Sequence, residues 1–311
     1  MARIIIGIHG LGNKPPQKIL QRNWKKSICE GLKRRGYPVL PFRFRLVYWA
    51  DLFNTEPLDP HETEADSQLY DDEPYVPTLE DQRREPGTLR KKILFFINRQ
   101  LKSLFLNDDM TINFQGITDN VIHKYFNDLE VYYCMSCLST KARGKLVRDV
   151  IQEILRQALD RYQGDEIMLI AHSMGSIIAY DVLTQGACPV DIDTFVTIGS
   201  PLGIPVVMSK IATEQEKRLM KRVKPVVPET IKGRWFNLSD LEDNITINYD
   251  LRDDFRQNSA NIGITDHIVA NDYEFEGKGN PHKAFGYLRT AEMADILHNF
   301  LDASRNRVSD S

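Results

Sequence analysis

The chain has 311 residues, 42% of them hydrophobic, and its 40 basic and 43 acidic side chains leave a formal net charge of -3. That balance offers no attraction to a polyanion such as nucleic acid, and the length suits one large core interrupted by an insertion. Four cysteines are too few for a disulfide framework; Cys134 and Cys137 form an isolated CxxC with no second pair to complete a four-ligand zinc site.

The opening MARIIIGIHG has one basic residue and a short apolar run before glycine, unlike a secretory leader. No stretch reaches the ~18 apolar residues of a membrane-spanning helix, so a soluble, cytoplasmic protein is expected. Residues 4–8, four β-branched isoleucines and one glycine, form a continuous apolar run, predicting a strand buried on both faces of a parallel sheet. Gly10, Gly12, Pro15 and Pro16 break it, and Ile19, Leu20, Trp24, Ile28 and Leu32 then recur at helical spacing until Gly36. A second strand is predicted over 42–49.

The pattern then changes. Residues 56–86 are acidic, proline-rich and aperiodic, reading as a long loop or an ordered insertion, with a solvated loop the simpler account and a partner-docking segment the alternative. Residues 88–106 return to helical spacing with Ile93, Leu94, Ile97, Leu101 and Leu104, a stripe that suits either a core or a lipid-contacting lid. Helix resumes over 144–162. Strands are expected at 167–171, 195–198, 235–238 and 268–270, with helices at 176–183 and 291–301. Buried strands alternating with helices imply a three-layer α/β domain with a mostly parallel central sheet covered on both faces. The whole chain reads as one such domain, with residues 51–140 as an inserted cap.

Ala171-His172-Ser173-Met174-Gly175 lies between a predicted strand and a predicted helix, the context in which a G-x-S-x-G turn presents a nucleophile. Ala171 replaces the first glycine at the cost of a methyl group. The N–H of Met174 would point into the site, and the loop His9-Gly10-Leu11-Gly12 could supply a second oxyanion donor through the N–H of Leu11. His9 and His172 read as shaping or hydrogen-bonding residues.

The runs IIIGIHGLGN, IMLIAHSMGS and FVTIGSPLG resemble the α/β-hydrolase superfamily, and AHSMG is similar to the elbow of a subset of bacterial lipases and esterases. The resemblance implies an α/β-hydrolase fold and a serine hydrolase without metal or organic cofactor, its triad in the chain order Ser, acid, His. Asp243-Asn244-Ile245 fits the spacing of the superfamily's acid, with Asp240 as the alternative; Asp250, Asp253 and Asp254 lie in a charged, solvated run. For the base, Pro281-His282, followed by an aromatic residue and then Tyr287-Leu288, resembles the histidine loop; His267 is the alternative, and His298 falls inside the closing helix. The expected substrate is a small-molecule or lipid-like carboxylic ester. An acyltransferase, a thioesterase or an inactive scaffold on the same fold remains open, because the fold does not fix the function.

Overall fold

The computed structural model describes residues 1–62, 73–78, 132–133, 144–184, 190–219, 224–246 and 248–302. The predicted helix over 88–106, Cys134, Cys137 and most of the predicted cap therefore lie outside the described residues.

Among the described residues six strands form one sheet: β1 (Arg3–Ile8), β2 (Arg43–Val47), β3 (Glu166–His172), β4 (Ile192–Ile198), β5 (Ile231–Asp240) and β6 (Ile264–Val269). Their order is β2-β1-β3-β4-β5-β6, and every neighbouring pair is parallel. Side chains alternate across a strand, so the continuous apolar run of β1 feeds two cores at once. Ile4, Ile6 and Ile8 enter one cluster with Ile167, Leu169, Phe195 and Trp235, whereas Ile5 enters the other with Met168, Ile170, Val196 and Leu238.

Helices cover both faces. On the Ile5 side lie α1 (Gln17–Arg34), the short α5 (Ala284–Leu288) and α6 (Ala291–Leu301), which contribute Trp24, Ile28, Tyr287, Leu297 and Phe300. On the Ile4 side lie α2 (Val147–Asp160), α3 (Met174–Thr184) and α4 (Pro205–Leu219), with Leu155, Ile177, Ile178 and Val207 in the core. From Met174 to Leu183 every residue of α3 is buried, so this helix runs through the interior and needs no polar face. Among the described residues no helix is long and apolar enough to cross a membrane.

Several features differ from the sequence expectations, among them β5, which starts at Ile231, four residues before the predicted 235. β6 starts four residues earlier than predicted, because Thr265, Asp266 and His267 are polar residues on an edge strand, where one side of the ladder stays open. Helix α4 and the short hairpin of β7 (Glu274–Phe275) and β8 (Lys278–Gly279) lack a strong periodic signal. Within the acidic stretch, residues 73–78 are not a solvated loop; they are anchored to α1 and to the 270–290 region by hydrogen bonds.

In this strand order the chain leaves β1 and β3 toward opposite faces of the sheet, opening a crevice at the carboxyl ends of the two strands. The His9–Gly10 loop and the His172–Ser173 turn meet there.

Candidate active site

Ser173 occupies the turn between β3 and α3 with φ +52°, a left-handed conformation that a non-glycine residue adopts at a cost. The surroundings over-determine it. The Ser173 N–H donates to the Ile198 carbonyl at 3.1 Å, and the Ser173 carbonyl accepts from the Ser176 N–H at 2.8 Å and the Ser176 hydroxyl at 2.6 Å. Two close approaches require glycine. A Cβ on Gly175 would lie 2.7 Å from the Ile8 carbonyl oxygen, and one on Gly10 would lie 2.7 Å from Ser173 Cβ and 3.2 Å from its Oγ. Backbone atoms of the β1 loop therefore press directly on the serine side chain.

His282 Nε2 lies 3.0 Å from Ser173 Oγ, and its Nδ1 lies 2.8 and 3.0 Å from the two carboxylate oxygens of Asp243. A carboxylate only accepts, so Nδ1 carries the proton and the Nε2 lone pair faces the serine hydroxyl. The Asp243 side chain is fully buried, yet both oxygens are satisfied: Oδ1 also accepts from the Ile245 N–H at 2.9 Å, and Oδ2 from the Tyr287 hydroxyl at 2.8 Å. The Tyr287 oxygen in turn accepts the Asp240 N–H at 2.9 Å. Burial and the adjacent Asp243 charge raise the Tyr287 pKa far above the phenolic range, which keeps it a donor.

The two alternatives weighed in the sequence lie elsewhere. Asp240 accepts backbone N–H groups from Glu242 at 2.7 Å and Asn271 at 2.5 Å, tying the acid loop to the loop after β6. His267 sits on β6 opposite Leu238, with its ring tilted against Phe236 and its Nε2 without a hydrogen-bond partner among the described residues.

His9 and His172 serve the backbone. His9 Nδ1 is 2.7 Å from the Gly10 carbonyl and must donate to it, while its Nε2 accepts the Trp49 N–H at 3.1 Å. Burial, with Lys14 nearby, lowers its pKa to about 3, so the ring is neutral with both nitrogens engaged. The pinned carbonyl belongs to the Gly10–Leu11 peptide; in a trans peptide the Leu11 N–H points to the opposite side. His172 Nε2 donates to the backbone carbonyl of His282 at 2.8 Å, and burial together with His282 lowers its pKa well below normal. Met174 opens α3, so its N–H belongs to the first helical turn, which lacks intrahelical acceptors. The structure brings together Ser173, His282 and Asp243, the three residues that sequence reasoning names; that reasoning misses the contact of Tyr287 with Asp243 and of Asn280 with the loop of His282, where Asn280 Oδ1 accepts the His282 N–H at 3.0 Å.

A hydroxyl, an imidazole held by a buried carboxylate and a backbone N–H in the first turn of a helix are ingredients of acyl transfer through a serine ester. Among the described residues no group of three or more His, Cys, Asp or Glu side chains is placed to hold a metal ion.

Neither the curated proteins nor the solved structures contain a match to this chain. The family model of the PGAP1-like alpha/beta domain matches residues 124–299, a stretch that holds Ser173, Asp243 and His282 and leaves out β1 and its loop. With more than half of its length matched, on a parallel sheet flanked by helices, the chain belongs to the PGAP1-like alpha/beta domain family, an α/β-hydrolase-like fold.

Proposed function

We propose that this protein is a serine hydrolase that cleaves a carboxylic ester through an acyl-enzyme. The observation that carries the reading is the single His282 ring lying 3.0 Å from the Ser173 hydroxyl on one side and 2.8 Å from the Asp243 carboxylate on the other. Membership of a family with an α/β-hydrolase-like fold supports it.

Ser173 Oγ attacks the ester carbonyl carbon as His282 Nε2 takes the hydroxyl proton, and Asp243 stabilises the imidazolium that forms. The carbonyl oxygen gains the negative charge and is received by the N–H groups of Leu11 and Met174. Collapse breaks the carbon–oxygen bond of the ester; the alcohol leaves with the proton from His282. Water, deprotonated by the same nitrogen, then attacks the acyl carbon, and Ser173 regains its proton as the acid departs. The substrate is a small or lipid-like ester.

The direct test is labelling by a fluorophosphonate together with a panel of p-nitrophenyl and thioester substrates of graded acyl length, on the native chain beside Ser173→Ala. Native protein takes one label per chain and turns over at least one ester; the alanine variant does neither, its rate falling on the order of 10⁴-fold or more. A native chain that stays unlabelled and inert sinks the reading.

A further inference from the structure

The six described residues 73–78 belong to the acidic stretch and lie outside the matched family domain, yet they bind the loop that carries His282. Glu73 Oε1 accepts from Asn280 Nδ2 at 2.6 Å and Oε2 from Lys283 Nζ at 2.9 Å, so the carboxylate bridges the residues on either side of Pro281-His282. Asn280 closes the path: its Oδ1 accepts the His282 N–H at 3.0 Å, and its carbonyl accepts the Lys283 N–H at 3.1 Å. Burial opposes the Glu73 charge, but Lys283, Asn280 and Lys14 together hold its carboxyl below the usual range, so at neutral pH the bridge is ionic.

The stretch is held firmly enough to act as an abutment. Tyr75 donates its hydroxyl to Glu30 at 2.8 Å and packs edge-on against Phe285; the Thr78 N–H also donates to Glu30 at 2.8 Å. Arg289 donates to the Val76 carbonyl and Tyr273 to the Pro74 carbonyl, both at 2.6 Å. Glu73 is therefore fixed through its own chain to α1 and the body of the domain, while its side chain grips the turn around His282.

We propose that Glu73 is a positioning residue for His282, holding the imidazole in line with Ser173 through Asn280, so that the insertion helps to set the activity of the site. This rests on the hydrolase reading given above. Freed from Glu73, the 280–283 turn drifts by a fraction of an ångström to an ångström, enough to spoil proton transfer without altering the acyl pocket.

Two measurements on the full chain test it. In Glu73→Ala, fluorophosphonate labelling of Ser173 and kcat for p-nitrophenyl butyrate fall about 10-fold, with KM within about two-fold of native. Amide exchange speeds up across residues 280–283 and not in β1. Glu73→Gln, which keeps an acceptor for Asn280 and loses the charge toward Lys283, gives an intermediate loss. The losses of Glu73→Ala and Asn280→Ala do not add, because both break one path. Labelling within two-fold of native overturns the proposal, as does faster exchange in β1 to the same degree as in 280–283, which would mean general loosening. If the native chain takes no label at all, the hydrolase reading fails by itself. Exchange at 280–283 then decides the positioning role alone, and no change there in Glu73→Ala overturns it.

Discussion

On the Ser173 side of the crevice the closest steric approaches are between backbone and the serine turn, whereas on the His282 side most of the holding is done by side-chain hydrogen bonds. Gly10 lies against the serine, Gly175 lies against the carbonyls of Ile8 and His9, and the serine N–H is held by the Ile198 carbonyl. His282 and Asp243, in contrast, are held by Tyr287, His172 and Asn280, which come from separate elements. A backbone contact has no shorter or isosteric substitute, so damage to the first side is steric and abrupt. A hydrogen bond can be removed one at a time, so damage to the second side is graded.

The largest effect after loss of the nucleophile is expected at the acid, and there it separates two neighbours. Asp243→Asn leaves the shape of the site but replaces one carboxylate oxygen by a donor, which upsets the tautomer of His282; activity falls on the order of 10³–10⁴-fold. Asp240→Asn alters only bonds to the N–H groups of Glu242 and Asn271, so it lowers the unfolding midpoint and costs less than about 10-fold in kcat/KM. Steady-state kinetics on both variants decides the assignment. Equal losses would break the distinction between the two carboxylates.

Gly10→Ala tests the backbone side. Its new methyl group would sit 2.7 Å from Ser173 Cβ, so either the β1 loop retreats and takes the Leu11 N–H with it, or the serine rotates away from His282. Either way kcat falls about 100-fold with the fold retained, as read by labelling rate and circular dichroism. Tyr287→Phe tests the other side and costs less. It removes one donor from Asp243 and leaves the Asp240 N–H without its acceptor, a loss of about 1–3 kcal/mol in stability. With one donor fewer, the carboxylate binds the imidazolium more strongly, so the acidic limb of kcat/KM moves to higher pH while kcat on its plateau falls less than about 10-fold. A limb that stays in place would assign Tyr287 to packing alone.

The same contrast explains what the sequence reveals. β1 and β3 are legible because strands buried on both faces must be continuously apolar, and the elbow is legible because its tight turn restricts the residues at Ala171 and Gly175. The ends of β6 are not legible, since an edge strand tolerates Thr265, Asp266 and His267. Ser173, His282 and Asp243, which the structure brings together, are named through chain order, local pattern and resemblance. Their supports are not: Tyr287 reaches Asp243 across 44 residues, and Glu73 reaches Asn280 across 207, so no local pattern records either contact.

The smallest effect is predicted beneath the acid loop, and it concerns stability rather than rate. Asp266 on β6 accepts from Asn237 at 2.8 Å and from the N–H groups of Leu251 and Arg252 at 3.0 and 2.9 Å, tying the chain beyond Asp243 to the sheet. Burial pushes its pKa up to about 6, with Asp250 adding to the rise against the pull of those donors. An acid whose pKa is raised on folding binds its proton more tightly in the native state than in the unfolded one. Between about pH 4, the ordinary aspartate range, and pH 6 the native state therefore holds more protons, and this carboxyl's contribution to stability declines as pH rises through that window. Asp266→Asn carries no such charge. Its unfolding midpoint relative to the native chain should accordingly climb by a few degrees from pH 4.5 to pH 7 and level off above, with labelling of Ser173 unchanged at pH 7. A midpoint difference that is flat across this range would mean that the donors around Asp266 fully offset its burial, and that this side of the site carries no titratable strain.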